Sequence, residues 1–201
     1  IVNDTKFPNR EQVLYLKANC LSQMAKTDEA VAFYAKQLAE FADGKLAPQA
    51  WFEELSLLYR SGKYADALKL AGQRVPPPEA HADQVYWIAA QSANAITQSE
   101  AVVQNCKLLV EKCPKSPFAK DALYELGWLQ NKQGAWESAA SWFLQVVKLF
   151  PADPLASKAL YSAGVCHARL GQRDVALRDW TDLLTKYPQA PEAADTLYQK
   201  A

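Results

Sequence analysis

Three proline-bounded loops recur at a fixed interval, and no other feature of the 201-residue sequence restricts its fold as tightly. They read Cys113-Pro-Lys-Ser-Pro117, Phe150-Pro-Ala-Asp-Pro154 and Tyr187-Pro-Gln-Ala-Pro191, with their first prolines, Pro114, Pro151 and Pro188, 37 residues apart each time. The first proline of a loop cannot continue a preceding helix. The second suits the first turn of the next helix, where its missing N–H has no partner in any case. Ser116 and Asp153 then stand where an N-cap oxygen is wanted. Self-similarity at such a period predicts stacked supersecondary units that cannot bury their apolar faces singly.

Between the loops apolar residues recur with helical period, and a glycine marks each midpoint: Gly134 in Lys132-Gln-Gly-Ala-Trp136 and Gly171 in Leu170-Gly-Gln-Arg173. A glycine there predicts a left-handed helix end, so each unit reads as a helix, a tight turn and a second, antiparallel helix. Gly127 with Ala139, and Gly164 with Ala176, are expected where the two helices cross closely, and Phe143 and Trp180 are expected to fill the gap to the next unit. The set Leu126-Gly127, Gly134, Ala139, Phe143, Pro151, repeated as Gly164, Gly171, Ala176, Trp180, Pro188, resembles the tetratricopeptide consensus. That family's usual period is about 34 residues. The longer period with its Pro-x-x-Pro loop resembles the variant of bacterial envelope proteins, of the outer-membrane assembly lipoprotein and Tol-Pal partner type. The resemblance implies an all-α fold, a right-handed α-solenoid of five helix pairs plus the first helix of a sixth.

The earlier units are degenerate but keep register. The position of Leu160 and Leu123 falls at Tyr86, Trp51 and Leu14, and the matching small residues of the second helices are Ala30, Ala67 and Val102. The units then run over about 8–44, 45–79, 80–116, 117–153 and 154–190, with a partial unit at 191–201, all in one domain. Gly62 holds the midpoint of the second unit, but Ala25 and Thr97 stand at the others, the latter in Asn94-Ala-Ile-Thr-Gln98. A two-residue deletion separates the second and third units, where Arg74-Val-Pro-Pro-Pro78 forbids helix and favours an extended segment. The weakest joint, with the easiest local opening over residues 72–84, is expected there. Leu197-Tyr198 repeats Leu160-Tyr161 in register, and the sequence begins without Met. Both features lead to the expectation of a segment from a longer array.

Function is expected on the inner face of the array, which the resemblance assigns to the first helix of each pair. The residue after the reference position is aromatic every time: Tyr15, Phe52, Trp87, Tyr124 and Tyr161. Such a row offers area, low rotamer entropy and polar tips to a peptide or partner helix. It equally suits packing between adjacent first helices. Arg60, Asn94, Asn131, Lys132 and Arg169 lie one and two turns along, where they are placed to bond an extended backbone or a carboxylate, or to form a solvated face. The two-carboxylate clamp of chaperone-binding family members needs a Lys where aromatics stand here, which disfavours a chaperone C-terminus as ligand. Two classes remain: a scaffold binding a protein or peptide in its groove, and an architectural spacer or assembly module in a larger envelope protein. Partly exposed rings fit the first, and fully covered rings the second.

Composition narrows the alternatives. Lys+Arg 22 against Asp+Glu 22 gives a formal net charge of zero, so nucleic acid is not an expected partner. No apolar run is long enough to cross a bilayer, and Ile1-Val-Asn-Asp-Thr-Lys6 lacks the form of a signal peptide. Compartment is left open, envelope association following from the resemblance alone. Cys20, Cys106, Cys113 and Cys166 show no metal-ligand spacing. On one helix Cys106 and Cys113 would be about 10.5 Å apart, too far for a disulfide, and they read as small core residues. Long-range pairing stays open. His81 and His167 have no nucleophile or carboxylate at a suggestive spacing, and Cys166 faces away from His167 by about 100° on a helix. No catalytic residue, metal site or cofactor is expected.

Overall fold

A computed structural model of the chain describes residues 9–76 and 81–200. Those residues form eleven α-helices and no strand. The first helices are α1 (Arg10–Gln23), α3 (Ala47–Arg60), α5 (Ala82–Ala95), α7 (Ala119–Lys132), α9 (Leu155–Arg169) and α11 (Glu192–Lys200). The second helices are α2 (Thr27–Glu40), α4 (Tyr64–Ala71), α6 (Ser99–Lys112), α8 (Trp136–Leu149) and α10 (Arg173–Lys186). Packing divides the chain into two compact units, Ile1–Asn105 and Cys106–Ala201, with the division inside α6. In the first, α1 to α5 pack each on the next, and α3 also meets α5. In the second, α7 to α11 do the same, with α7 meeting α9 and α9 meeting α11. Within each unit this is the neighbour-to-neighbour packing of an α-solenoid of helix pairs.

The register read from the sequence is a register of burial. Leu14, Trp51, Tyr86, Leu123 and Leu160 are all buried, as are Ala30, Ala67, Val102, Ala139 and Ala176 at the matching positions of the second helices. The midpoint turns also agree, with or without glycine. Gly62, Gly134 and Gly171 have φ of 77, 75 and 73°, and Ala25 and Thr97 take φ of 58 and 59° at the equivalent places. Each turn closes with the same bond, Lys26 N–H to Leu21 O, Lys63 to Leu58, Gln98 to Ala93, Ala135 to Gln130 and Gln172 to His167, at 2.9–3.0 Å. That is the Schellman arrangement, and it forces two non-glycine residues into a left-handed conformation.

The close helix crossing seats a large ring on each glycine. Phe143 and Trp180 do not simply bridge to the next unit: their rings lie on the glycines of their own unit. A Cβ on Gly127 would stand 2.6 Å from Phe143 Cε1, and one on Gly164 would stand 2.2 Å from Trp180 Nε1. A large ring is thus seated in the missing volume of each glycine, while Ala139 and Ala176 are buried as well. The first unit uses the same rule with other sizes, since Tyr34 shares a cluster with Ala18, and Leu55 shares one with Ala71. Phe143 also belongs to a cluster with Ala159, Ala163 and Cys166 of α9, which joins one pair to the next.

The inter-pair loops repeat in hydrogen bonding, prolines or not. Ser116 N–H bonds Cys113 O and Ala119 N–H bonds Ser116 O; Asp153, Ala156 and Ala190, Ala193 repeat the pattern. Gly44 and Ala47 repeat it again in a loop that has neither proline of the motif. Ser116 and Asp153 are not N-caps. The N-cap residues are Phe118 and Pro154, and the two side chains instead accept from Phe118 N–H at 3.1 Å and Leu155 N–H at 2.9 Å, closing the turn just ahead of each helix. First-helix side chains tether these loops: Glu11 accepts from Leu46 N–H, Lys120 pairs with Asp153, and Ser157 Oγ bonds Glu192. The Lys120 ammonium and Leu155 N–H hold the Asp153 carboxyl below the usual carboxylate range.

Helix α4 has 8 residues where its counterparts have 14, because Gly72 and the segment toward Pro76 end it early. Arg74 reaches back to Ala42 O at 3.1 Å. Pro77 and Pro78 of the proline loop, with Glu79 and Ala80, lie outside the described residues, as do residues 1–8 and Ala201. Glu54 is 6% exposed, and burial alone pushes its carboxyl up to about 7. It occupies the position held by Ala89, Leu126 and Ala163 in later first helices.

Candidate functional site

The five register aromatics sit on α1, α3, α5, α7 and α9, three in the first compact unit and two in the second, and each is half-buried. Helix geometry explains the common exposure. The reference residue points into the core, and its neighbour is turned about 100° from it, toward the helix's rim. Several rings rest on their own second helix. Tyr15 meets Tyr34 edge-on at 6.2 Å, and Tyr124 tilts against Phe143 at 5.2 Å. Phe52 stacks on His81 at 4.3 Å with 13° between the planes, and Trp180 Nε1 donates to Tyr161 O at 3.4 Å.

Two of the five polar candidates come together: Arg169 Nη1 donates to Asn131 Oδ1 at 3.1 Å across α7 and α9. Lys132 places its ammonium 5.2 Å from the ring centre of Trp128. Arg60 turns back to Ser56 O on its own helix, and Asn94 lies exposed at the end of α5. Trp128 itself was missed by the sequence reading. It is 43% exposed at a register position filled by Asn19, Ser56, Gln91 and Val165, and that contrast was the available signal. Lys158 stands 5.1 Å over Tyr124, so the face of α7 and α9 carries two ring–cation contacts. Glu125, beside Tyr124, has its carboxyl pushed up by burial, as does Asp121.

His167 does have a carboxylate partner, contrary to the sequence reading. Its Nδ1 lies 2.6 Å from Asp179 Oδ2, both side chains largely covered, joining α9 to α10. The pairing crosses the turn of the helix pair, so linear spacing along one helix does not show it. Burial pushes the Asp179 carboxyl up, and the His167 bond opposes that shift. His167 also lines a cavity of about 370 Å³ with Ser141, Gln145 and Lys148 of α8. Cys106 and Cys166 are buried, their thiols pushed up to about 12 and about 11 by burial, whereas Cys113 is half-buried and Cys20 exposed. All four are free thiols. Among the described residues no helix is long and apolar enough to cross a membrane.

Residues 90–154 and 158–190 each match a family model described as Tetratricopeptide repeat. These segments are similar to tetratricopeptide repeats. No curated protein matches the chain in sequence. Solved tetratricopeptide-like structures do match it in fold. The MamA protein aligns at a TM-score of 0.65 and 17% identity, over 95% of this chain and 96% of that one. YrrB, described as a TPR protein with an unusual peptide-binding site, aligns at 0.63 and 20%, over 96% and 93%. A tetratricopeptide repeat protein from Parabacteroides merdae aligns at 0.60 and 15%, over 89% and 67%. At these identities the likeness is one of fold, and it covers the degenerate early pairs as well as the two matched segments.

Proposed function

We propose that this chain is a protein-interaction scaffold that holds a peptide or partner protein against its first-helix face. One observation carries the reading: at the same register of five successive first helices stands an aromatic ring left half-buried, Tyr15, Phe52, Trp87, Tyr124 and Tyr161. Rings needed only to fill space gain most from complete burial, as Phe143 and Trp180 do on the second helices. Rings fixed on one side by packing and open on the other are rigid, amphipathic contact surfaces that lose little entropy on binding. The fold likeness to YrrB, with its peptide-binding site, supports the same reading. The even charge balance supports protein rather than nucleic acid as the partner. The 37-residue period supports a place among envelope members of the family, which fractionation of the source cells tests.

The scaffold reading is tested by capture from lysate with wild type and with a Tyr124→Ser/Tyr161→Ser variant. Each substitution should weaken a retained partner by more than about 1 kcal/mol, the scale of a true contact residue, without lowering helicity. Undiminished capture by a folded double variant would favour the assembly module instead.

A further inference from the structure

We infer that the groove where His167 meets α8 is a second binding site, and that it takes an aliphatic cation, an ammonium or guanidinium on a short hydrocarbon stem. The site lies apart from the register aromatics and does not depend on the scaffold reading. It begins with two residues that break the register. His167 and Asp179 occupy positions where the first two helix pairs carry Leu21 with Phe33 and Leu58 with Leu70. Each of those apolar couples shares a cluster, so the fold accepts an apolar contact at this crossing. A covered polar pair stabilises little more than a well-packed apolar one. What His167 and Asp179 add is chemistry.

That chemistry borders a cavity. Asp179 engages Nδ1 of His167 at 2.6 Å and fixes the ring, whose remaining polar atom, Nε2, is hydrogen-bonded by no described residue. With Nδ1–H donating to the carboxylate, the neutral ring keeps Nε2 as a lone-pair acceptor. The ring lines a cavity of about 370 Å³, a size at which small-ligand pockets combine apolar walls with a few placed polar groups. Glu137, Ser141, Leu144 and Lys148 recur at helical spacing along the face of α8 that forms its wall. The short loop between α8 and α9 turns the chain back, which sets the last turn of α9, with His167, beside the first turn of α8, with Glu137. Glu137 and Nε2 thus make an acceptor-rich end, and Ala140 with Leu144 an apolar middle. Lys148 stands about 16 Å farther along the axis of α8, outside the reach of that end.

The charges of the neighbouring helices leave the acceptor end open. Lys132 and Lys158 lie over Trp128 and Tyr124, Arg169 donates to Asn131, and Arg178 turns its Nε to Asp174 O. Lys186 pairs with Asp182, while Arg173 and Asp174 contribute one charge of each sign. On α11, Glu192 bonds Ser157 and Asp195 adds negative charge. A cationic donor on an aliphatic stem therefore meets Glu137 and Nε2 with its head and Leu144 with its stem, whereas a carboxylate would face two acceptors.

The test uses the whole chain labelled at histidine with heavy nitrogen, since His81 and His167 are its only histidines. Pentylammonium, pentylguanidinium and pentanoate are titrated at about pH 8, where an ordinary imidazole is neutral. Both cations should shift the Nε2 resonance of His167 and leave that of His81 unmoved, and pentanoate should bind at least about tenfold more weakly. Glu137→Gln should weaken the cations about tenfold, and Glu100→Gln on α6 should leave them unchanged. The double variant His167→Leu/Asp179→Leu, which copies Leu58 with Leu70, should bind neither cation in a calorimetric titration; if it does not fold, Glu137→Gln decides. A capped Ala-Arg-Ala peptide separates two sources of the same chemistry. Binding equal to that of pentylguanidinium assigns the site to a partner's basic side chain, and binding of the free cations alone assigns it to a small amine. No shift at His167 with either cation, an equal response to pentanoate, or undiminished binding by Glu137→Gln overturns the assignment.

Discussion

Thr97 holds a β-branched side chain at φ 59°, in a turn that three of its four counterparts make with glycine at φ 73–77°. The left-handed conformation costs an L-residue about 1–2 kcal/mol, and the freedom of glycine in the unfolded chain returns part of that. Thr97→Gly should therefore stabilise the chain by about 1 kcal/mol, read as a higher urea midpoint at an unchanged slope; a lower midpoint would contradict the strain argument. Glu54 makes the opposite kind of exception, a carboxyl in a place built for Ala or Leu. Its folded pKa of about 7 lies above its ordinary 4.5, so the folded state binds the proton more tightly than the unfolded. The resulting stability is complete below about pH 4.5 and is lost as pH rises through about 7. Glu54→Leu should remove this dependence and raise stability more at pH 8 than at pH 4, by on the order of 3 kcal/mol at most. Equal gains at both pH values would show that Glu54 keeps its usual carboxylate behaviour.

Within a helix pair, the close crossing matches the volume missing at a glycine with a large ring. Gly164 and Gly171 separate the two uses of glycine. A methyl group on Gly164 would collide with Trp180, while one on Gly171 meets open space and suffers only from its φ of 73°. Gly164→Ala should cost about 1–3 kcal/mol by overpacking. Most of that cost should vanish in a Trp180→Ala background, whereas Gly171→Ala should cost the same in either, and a double-mutant cycle on thermal melts distinguishes them. Helix α4 is the weakest element by length, since a helix of 8 residues buries only Ala67 and Leu70. Hydrogen exchange should find its amides, with those of residues 72–75, open well before α3 or α8. Late exchange of α4 would refute that order.

Within each compact unit, α1 to α5 and α7 to α11 pack on their sequence neighbours, so stability is local and additive along each run. Phe143→Ala should cost about 3–5 kcal/mol. Exchange should accelerate in α7, α8 and α9, which share its cluster, while α1 to α3 keep their protection. Uniform acceleration over every helix would mean a single cooperative core instead of a chain of neighbours.

The sequence alone determined the period, the helix pairs and the residues that face inward. Each depends on local chemistry: proline ends helices, a midpoint glycine favours the turn, and a 3.6-residue period sorts apolar side chains onto one stripe. It also placed the aromatic row, because register carries from one unit to the next. Tertiary structure alone decided which large ring fills which glycine, since Phe143 and Gly127 meet across a helix pair and share no linear signature. It likewise decided that Asp179 reaches His167, that Ser116 and Asp153 close turns instead of capping helices, and that Lys132 and Lys158 settle over Trp128 and Tyr124. Those outcomes turn on distances between elements, which local propensity leaves free and packing fixes.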